Sequence, residues 1–332
     1  MQRTSPNPPA DAPAPAHTPA AATSSRGWGS RAAIGWNLYL DHFGLREPPF
    51  EITPDTSFIY KGSAHQEALS MLRMALRGGE GFVKVTGEVG TGKTLMCRTL
   101  LAQLAEQPEQ VLTAYLPNPK LTPCEMLRAL ARELRLRCDR RLHEADLHGV
   151  LETGLLSLAA KGQSVVLCID EAQAMPAETL ETLRLLSNLE TEKRKLLQIV
   201  LFAQPELDLL LAQPCHRSLA SRIGFSARLK PLAAAEVSHY LRHRLAVAGW
   251  RGTDVFSPAA RWALWWAGGG RPRNTNVLAH KCLLLTYGGG GHRVHLRHAW
   301  LAWRDSQLVA HPSMAQSLRR SRPSAQGAGA LT

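Results

Sequence analysis

The pattern of apolar and polar residues changes twice along the chain. Residues 1 to about 37 show almost no apolar periodicity and are rich in Pro, Ala, Ser and Thr, a composition typical of a disordered leader. A globular region begins at Leu38, and from Phe82 to Leu229 short apolar runs alternate with longer amphipathic stretches. After Pro231 only amphipathic stretches remain. The pattern predicts a disordered leader, an α/β region and a helical region.

The short apolar runs predict the strands of one parallel sheet. They have the length of buried strands and alternate with helical periodicity, which is typical of βαβ units with helices on both sheet faces. We therefore expect a doubly wound α/β domain over residues 38–231. Its predicted strands are 82–86, 111–116, 165–169, 196–203 and 225–229, and its predicted helices are 94–104, 123–136 and 147–160.

The remaining amphipathic stretches predict a C-terminal helical lid domain over residues 232–310. Its predicted helices are 234–248, 258–267, 273–287 and 297–309. Residues 311–332 contain a cluster of arginines and are interpreted as a disordered basic tail. The break in composition at Leu38 also motivates the hypothesis that residues 1–37 are not translated in the native protein.

Composition and charge narrow the classes of partner. A chain of 332 residues with a charged share of 20% fits an ordinary globular protein with two packed units. The formal charge of +12 suits nucleic acid or anionic lipid, although scattered basic residues also fit a solvated surface. No apolar stretch reaches the ~20 residues of a membrane-spanning helix. Six cysteines without C-x-x-C or zinc spacing favour a cytoplasmic location, with peripheral association at the inner membrane left open.

A phosphate-binding loop follows the first predicted strand. Gly87 to Thr94 match the pattern G-x-x-x-x-G-K-[ST] between a strand and a helix. Its glycines allow backbone N–H groups to surround phosphates at a helix N-terminus. We expect Lys93 to contact the β and γ phosphates of ATP and the Thr94 hydroxyl to bind Mg²⁺. The predicted nucleotide-binding residues are Gly87, Glu88, Val89, Gly90, Thr91, Gly92, Lys93, Thr94 and Leu95.

Two carboxylates follow the predicted strand 165–169. Parallel strands present their carboxyl ends at one edge of a sheet, so Asp170 and Glu171 should lie near the loop that holds Lys93. We expect Asp170 to complete the Mg²⁺ shell with Thr94. Glu171 is predicted to activate water for attack on the γ-phosphate, which makes ATP hydrolysis the expected reaction.

Polar residues at two other strand ends are further candidates. Gln204 follows strand 196–203 directly, where its side chain is predicted to contact the γ-phosphate or the water as a sensor; an ordinary loop residue is the alternative. Asn118 follows strand 111–116 and is a candidate to hydrogen-bond Glu171, or a simple turn residue before Pro119.

Arginines provide the last catalytic candidates. Arg217 and Arg222 precede the last strand, where either could stabilise transition-state charge in a neighbouring subunit or be an ordinary surface residue. Arg273 begins a lid helix after a glycine-rich turn, so it could couple the lid to the nucleotide phosphates. We favour Arg273 over Arg271 for that role.

The ordered series of motifs resembles the ExeA/GspA-like AAA+ ATPases of general secretion pathways. Within that family it is most similar to the MshM group of mannose-sensitive haemagglutinin type IV pilus biogenesis. The resemblance covers about residues 38–305 and departs at Ala203, where the family commonly has glycine. It is carried by YLDHFGLREPPF at 39–50, TPD at 53–55, GEVGTGKT at 87–94, IDEAQ at 169–173, QPEL at 204–207, YLRHRL at 240–245 and GRPRNTN at 270–276.

This resemblance implies an AAA+ fold, an oligomer and partners among inner-membrane pilus or secretion assembly proteins. ExeA-like proteins add a membrane segment and a periplasmic peptidoglycan-binding region; their absence here favours the MshM-like cytosolic form. The expected function is therefore ATP hydrolysis that drives assembly of a type IV pilus or type II secretion apparatus. The alternative is a DNA-binding AAA+ ATPase that regulates transposition, which would explain the positive charge.

Overall fold

The computed structural model describes residues 38–306, except positions 54, 61, 108, 140, 192 and 193. The predicted leader at 1–37 and the predicted basic tail at 311–332 lie outside the described residues. Within the described part, no helix is long and apolar enough to cross a membrane.

The core of the molecule is one parallel sheet of five strands. Each strand lies within two residues of its predicted bounds. The three central strands are buried on both faces, whereas the last strand alternates buried and exposed residues. In space the order is β2-β3-β4-β1-β5, so β4 separates β1 from β3. This confirms the predicted parallel α/β fold. The strands are β1 (Phe82–Gly87), β2 (Val111–Leu116), β3 (Ser164–Ile169), β4 (Leu197–Ala203) and β5 (Ile223–Leu229).

Helices cover both faces of this sheet. Alternate side chains of β3 point to opposite faces, as the strand period requires: Val166 and Cys168 pack with α1 and α2, and Leu167 packs with α3 to α5. The sequence reasoning did not predict α1, α5, α6 or α7. The helices are α1 (Ser63–Arg77), α2 (Lys93–Ala105), α3 (Pro123–Glu133), α4 (Glu144–Ala160), α5 (Ala177–Leu186), α6 (Glu206–Leu211) and α7 (Arg217–Ala220).

Within the described residues, four further helices follow the last strand and share a separate apolar core. They are α8 (Ala234–Val247), α9 (Pro258–Gly268), α10 (Pro272–Gly288) and α11 (Leu296–Arg304). Proline at the first position starts both α9 and α10, where its missing N–H costs no hydrogen bond. Helix α11 ends at Arg304, earlier than the predicted 309, and residues 307–309 lie outside the described part.

The segment before α1 packs with these helices. Tyr39, Phe43, Phe50 and Phe58 are almost fully buried in the same core as Leu241. The predicted α/β domain at 38–231 includes this segment, whereas its aromatic side chains pack in the helical core. Its aromatic side chains show no strand periodicity, and they complete a helical core formed by residues almost two hundred positions later.

Candidate nucleotide site

The loop after β1 has the backbone shape of a phosphate cradle. Gly90 and Gly92 have φ of 80° and 98°, in the left-handed region that favours glycine. A Cβ at Gly87 would lie 2.8 Å from Thr91 Oγ1, so side chains are excluded at close quarters. Thr91 Oγ1 donates to the Glu88 carbonyl at 2.8 Å and stabilises the turn. The loop therefore presents backbone at the N-terminus of α2, where the helix dipole attracts anions.

Lys93 is held inside this loop. Its side chain is buried, and Nζ donates to the carbonyls of Gly87 at 2.8 Å and Glu88 at 3.1 Å. Burial lowers the pKa of Lys93, while nearby carboxylates, chiefly Glu171 and Asp170, favour the charged form. The ammonium is thus oriented by weak neutral acceptors that a phosphate oxygen can replace.

Thr94 and Asp170 meet at the end of β3. Thr94 Oγ1 donates to Asp170 Oδ2 at 2.7 Å, and the Glu171 N–H donates to Asp170 Oδ1 at 2.9 Å. Burial raises the pKa of Asp170, although the Thr94 hydrogen bond opposes this. A hydroxyl and a carboxylate are oxygen ligands of the kind Mg²⁺ prefers, and they are adjacent here. The residues present therefore fit the metal.

Glu171 is the most constrained residue of the site. It has φ of 53°, a left-handed conformation that is strained for a side chain other than glycine. Its Oε2 accepts from Gln204 Nε2 at 3.0 Å and from Gln173 Nε2 at 2.6 Å. Gln173 also fixes Gln204, because its Oε1 accepts from the Gln204 N–H at 2.9 Å. One carboxylate oxygen is thus held by two amides.

These amides set the charge of Glu171. Burial alone would raise the pKa of its carboxyl, but the hydrogen bonds from Gln204 and Gln173, together with the charge of Lys93, lower it below its ordinary value. The glutamate is therefore ionised at neutral pH and able to accept a proton.

Of the two roles that the sequence leaves open for Asn118, the structure shows the turn role. Asn118 Oδ1 accepts from the Lys120 N–H at 3.2 Å, which is the turn role before Pro119. Gln173, which the sequence marks only as part of the IDEAQ motif, donates to Glu171 instead. The short 3-10 turn Ala172–Ala174 returns the Gln173 side chain toward Glu171. The pattern of apolar and polar residues does not reveal such a turn.

The lid contacts the loop through the start of α10. The Arg273 N–H donates to the Gly90 carbonyl at 3.2 Å, and a Cβ at Gly90 would lie 2.8 Å from the Arg273 Cβ. Arg271 instead lies 3.8 Å from the Glu88 carboxylate. Arg273 lines a cavity of about 460 Å³ together with Val89, Gly90, Gly92, Lys93, Thr94, Leu95 and Glu171.

A second cavity, of about 570 Å³, adjoins the first. The two share Gly92, Leu95, Tyr240, Arg244 and Pro272 in their walls. The second is the more apolar of the two; its side chains include Ile59, Tyr60, Leu69, Met96 and Leu232. The charged cavity at the loop suits the phosphates of a nucleotide, and the adjoining apolar cavity suits its base.

The remaining arginine candidates lie elsewhere. Arg217 begins α7 and is exposed, and Arg222 Nη1 donates to Ser187 Oγ at 3.3 Å. Neither lines the cavity at Lys93.

Comparison with known proteins agrees with this geometry. Residues 76–211 match the family described as AAA domain. General secretion pathway protein A of Aeromonas hydrophila is 42% identical over 257 residues, which is 77% of this chain and 46% of that protein. The chain belongs to the ExeA/GspA-like AAA+ family. It spans about half the length of this relative.

Solved structures similar to this ExeA/GspA-like chain share its fold at low sequence identity. Drosophila ORC bound to DNA has a TM-score of 0.60 and 16% identity, with 92% of this chain and 74% of that chain covered. The Aeropyrum pernix ORC2 protein, in ADPNP-ADP complexes, has a TM-score of 0.56 and 18% identity, with 76% and 71% covered. These likenesses confirm the predicted α/β AAA+ fold.

Proposed function

We propose that this chain binds ATP with Mg²⁺ and hydrolyses it to drive assembly of a type IV pilus or type II secretion apparatus. One observation supports hydrolysis most strongly: Glu171, kept ionised, lies between the Gln204 and Gln173 amides at the edge of the cavity that holds Lys93. A kinase would need a second substrate site there, whereas this arrangement suits a water molecule.

The residues divide the chemistry among them. Glu171 accepts a proton from water while the water oxygen attacks the γ-phosphorus and the bond to the β–γ bridging oxygen breaks. Lys93 stabilises the charge of the phosphate oxygens, and Gln204 orients Glu171. Thr94 and Asp170 would hold Mg²⁺, which neutralises charge on the β and γ phosphates when bound. Arg273, at the start of α10, would couple the lid to the nucleotide phosphates.

We infer that the active form is a homo-oligomer. Arg217 and Arg222 lie away from their own cavity, and a neighbouring copy would offer them a phosphate to stabilise. Either arginine could serve as this group. In a mixture of copies, one carrying Arg222→Ala and the other Glu171→Gln, turnover should return only if the active site is shared.

The partners proposed for this chain are inner-membrane assembly proteins, reached from the cytoplasm. The support is the 42% identity with a protein named for general secretion. The test is capture of partners from solubilised membranes by Glu171→Gln protein held with ATP, compared with Lys93→Ala protein. Pilus or secretion proteins retained only by the ATP-held form would support the proposal, and equal retention by both would contradict a role for ATP.

The positive charge supports a second candidate, a DNA-binding AAA+ ATPase that regulates transposition. A formal charge of +12 would be explained by phosphate contacts. Duplex binding that requires ATP and weakens steeply with salt would favour it. Absence of binding at physiological salt would remove this candidate.

A further inference from the structure

Arg244 in α8 is a buried cation that contacts the segment before α1. Its Nε donates to the Pro49 carbonyl at 2.5 Å and its Nη2 donates to the Glu51 carbonyl at 3.2 Å. Its guanidinium carbon lies 4.3 Å from the centre of the Phe58 ring. Among the described residues no carboxylate lies within ion-pair distance of it. The side chain is 5% exposed, so these contacts hold a charge away from water.

These contacts fasten residues 49–53 and 55–60, which we call the strap. A second lid residue binds one of the same carbonyls: Asn276 Nδ2 donates to the Glu51 carbonyl at 3.1 Å. Asn276 is itself oriented by Tyr240, whose hydroxyl donates to Asn276 Oδ1 at 2.7 Å. Phe50 packs edge-on against Phe256, with 5.8 Å between the two ring centres. The strap is therefore tied to three parts of the lid core.

The strap also forms one wall of the site. Its residues Glu51, Ile52, Thr53 and Asp55 line the cavity that contains Lys93, and Thr56 to Tyr60 line the apolar cavity. Arg244 lines both cavities, at the boundary between them. A nucleotide that filled the two cavities would touch the P-loop on one side and the strap on the other.

We propose that Arg244 is a positioning residue that makes the strap move with the lid, so that strap and lid close on a nucleotide as one unit. Its guanidinium fork supplies the two donors that tie the strap backbone to α8. This inference rests on the proposed function for the identity of the ligand. The tie itself exists without a ligand and can be measured without one.

The test is hydrogen–deuterium exchange of the strap amides, with and without ATP. In the unaltered protein the strap should be protected without nucleotide and more strongly protected with it. Hydrogen bonds from a charged group are strong enough that Arg244→Met should raise strap exchange by about ten-fold or more in both states. The KM for ATP should rise by a similar factor while kcat stays within about two-fold, because Arg244→Met leaves Glu171 and Lys93 in place.

Arg242→Met is the matched control. Arg242 lies on the same helix, is half exposed, and pairs with Asp254 at 3.4 Å instead of the strap. If Arg244→Met does not fold, Asn276→Ala removes the other donor to Glu51 and should also raise strap exchange, by less. Strap exchange unchanged in both variants would overturn the inference. An unaltered protein that fails to bind ATP would instead refute the proposed function, and the nucleotide-free exchange would still decide the role of Arg244.

Discussion

Removal of the Gln204 amide should shift the pH dependence of ATP turnover. Gln204 Nε2 lies 3.0 Å from Glu171 Oε2 and is one of two side-chain donors that lower the pKa of this carboxyl. In Gln204→Ala, the negative charge loses a donor while the burial that favours the neutral acid remains. The pKa of Glu171 must therefore rise. As the pH falls, turnover that needs the carboxylate is then lost at a higher pH than in the unaltered enzyme.

The size of the shift follows from the hydrogen bond. A bond to a charged group contributes about 1.5 to 3 kcal/mol, and one pKa unit corresponds to about 1.4 kcal/mol. Glu171 is partly exposed, so solvent screening reduces this. We expect the acid limb of the kcat/KM profile to move up by about one pH unit, together with a lower plateau because the carboxylate is less well oriented.

The assay is steady-state ATPase activity between about pH 5 and pH 9, where the acid limb reports the free-enzyme base. Gln107→Ala is the control, since this exposed amide follows the far end of α2. An acid limb at the same pH in Gln204→Ala and in the unaltered enzyme would refute the assignment of Glu171 as the base held by Gln204.

Two further changes test the loop and the metal ligands. Gly90→Ala places a methyl group 2.8 Å from the Arg273 Cβ at a residue with φ of 80°, so ATP affinity should fall by about ten-fold or more in a binding titration; Gly149→Ala, whose Cβ would meet nothing within 4 Å, should leave affinity unchanged. Asp170→Asn keeps a partner for the Thr94 hydroxyl but removes the charge, so half-maximal activity should require about ten-fold more Mg²⁺; an unchanged Mg²⁺ requirement would contradict its role as a ligand.

Local sequence patterns predicted the sheet and the P-loop, but they did not predict the contacts of Gln173 and Arg244 around the site. β3 is apolar from Val165 to Ile169, and β4 is interrupted only by Gln198. Gly87 to Thr94 is a contiguous motif, so the strands and the motif are both visible in one short window. The partner of Glu171 depends on the turn that returns Gln173 to it. The strap depends on Arg244 meeting the Pro49 carbonyl across 195 positions. Such contacts are fixed by tertiary packing, which periodicity does not report.

The missed helices have a related cause. Helix α1, Ser63–Arg77, has a clear amphipathic pattern, but it precedes the first strand and was not separated from the segment before it. Helix α1 also contacts the P-loop, where His65 Nε2 lies 3.0 Å from the Thr91 carbonyl. The ring donates to that carbonyl, and burial lowers the pKa of His65 although this hydrogen bond opposes the shift.

The central claim is that this fold hydrolyses ATP with Glu171 as the base, and one measurement tests it most directly. ATP binding and single-turnover hydrolysis should be measured on the same preparations of unaltered, Glu171→Gln and Lys93→Ala protein. We predict that Glu171→Gln retains ATP affinity within about three-fold and loses at least about a hundred-fold in hydrolysis, whereas Lys93→Ala loses binding. Hydrolysis by Glu171→Gln at the unaltered rate would contradict the account.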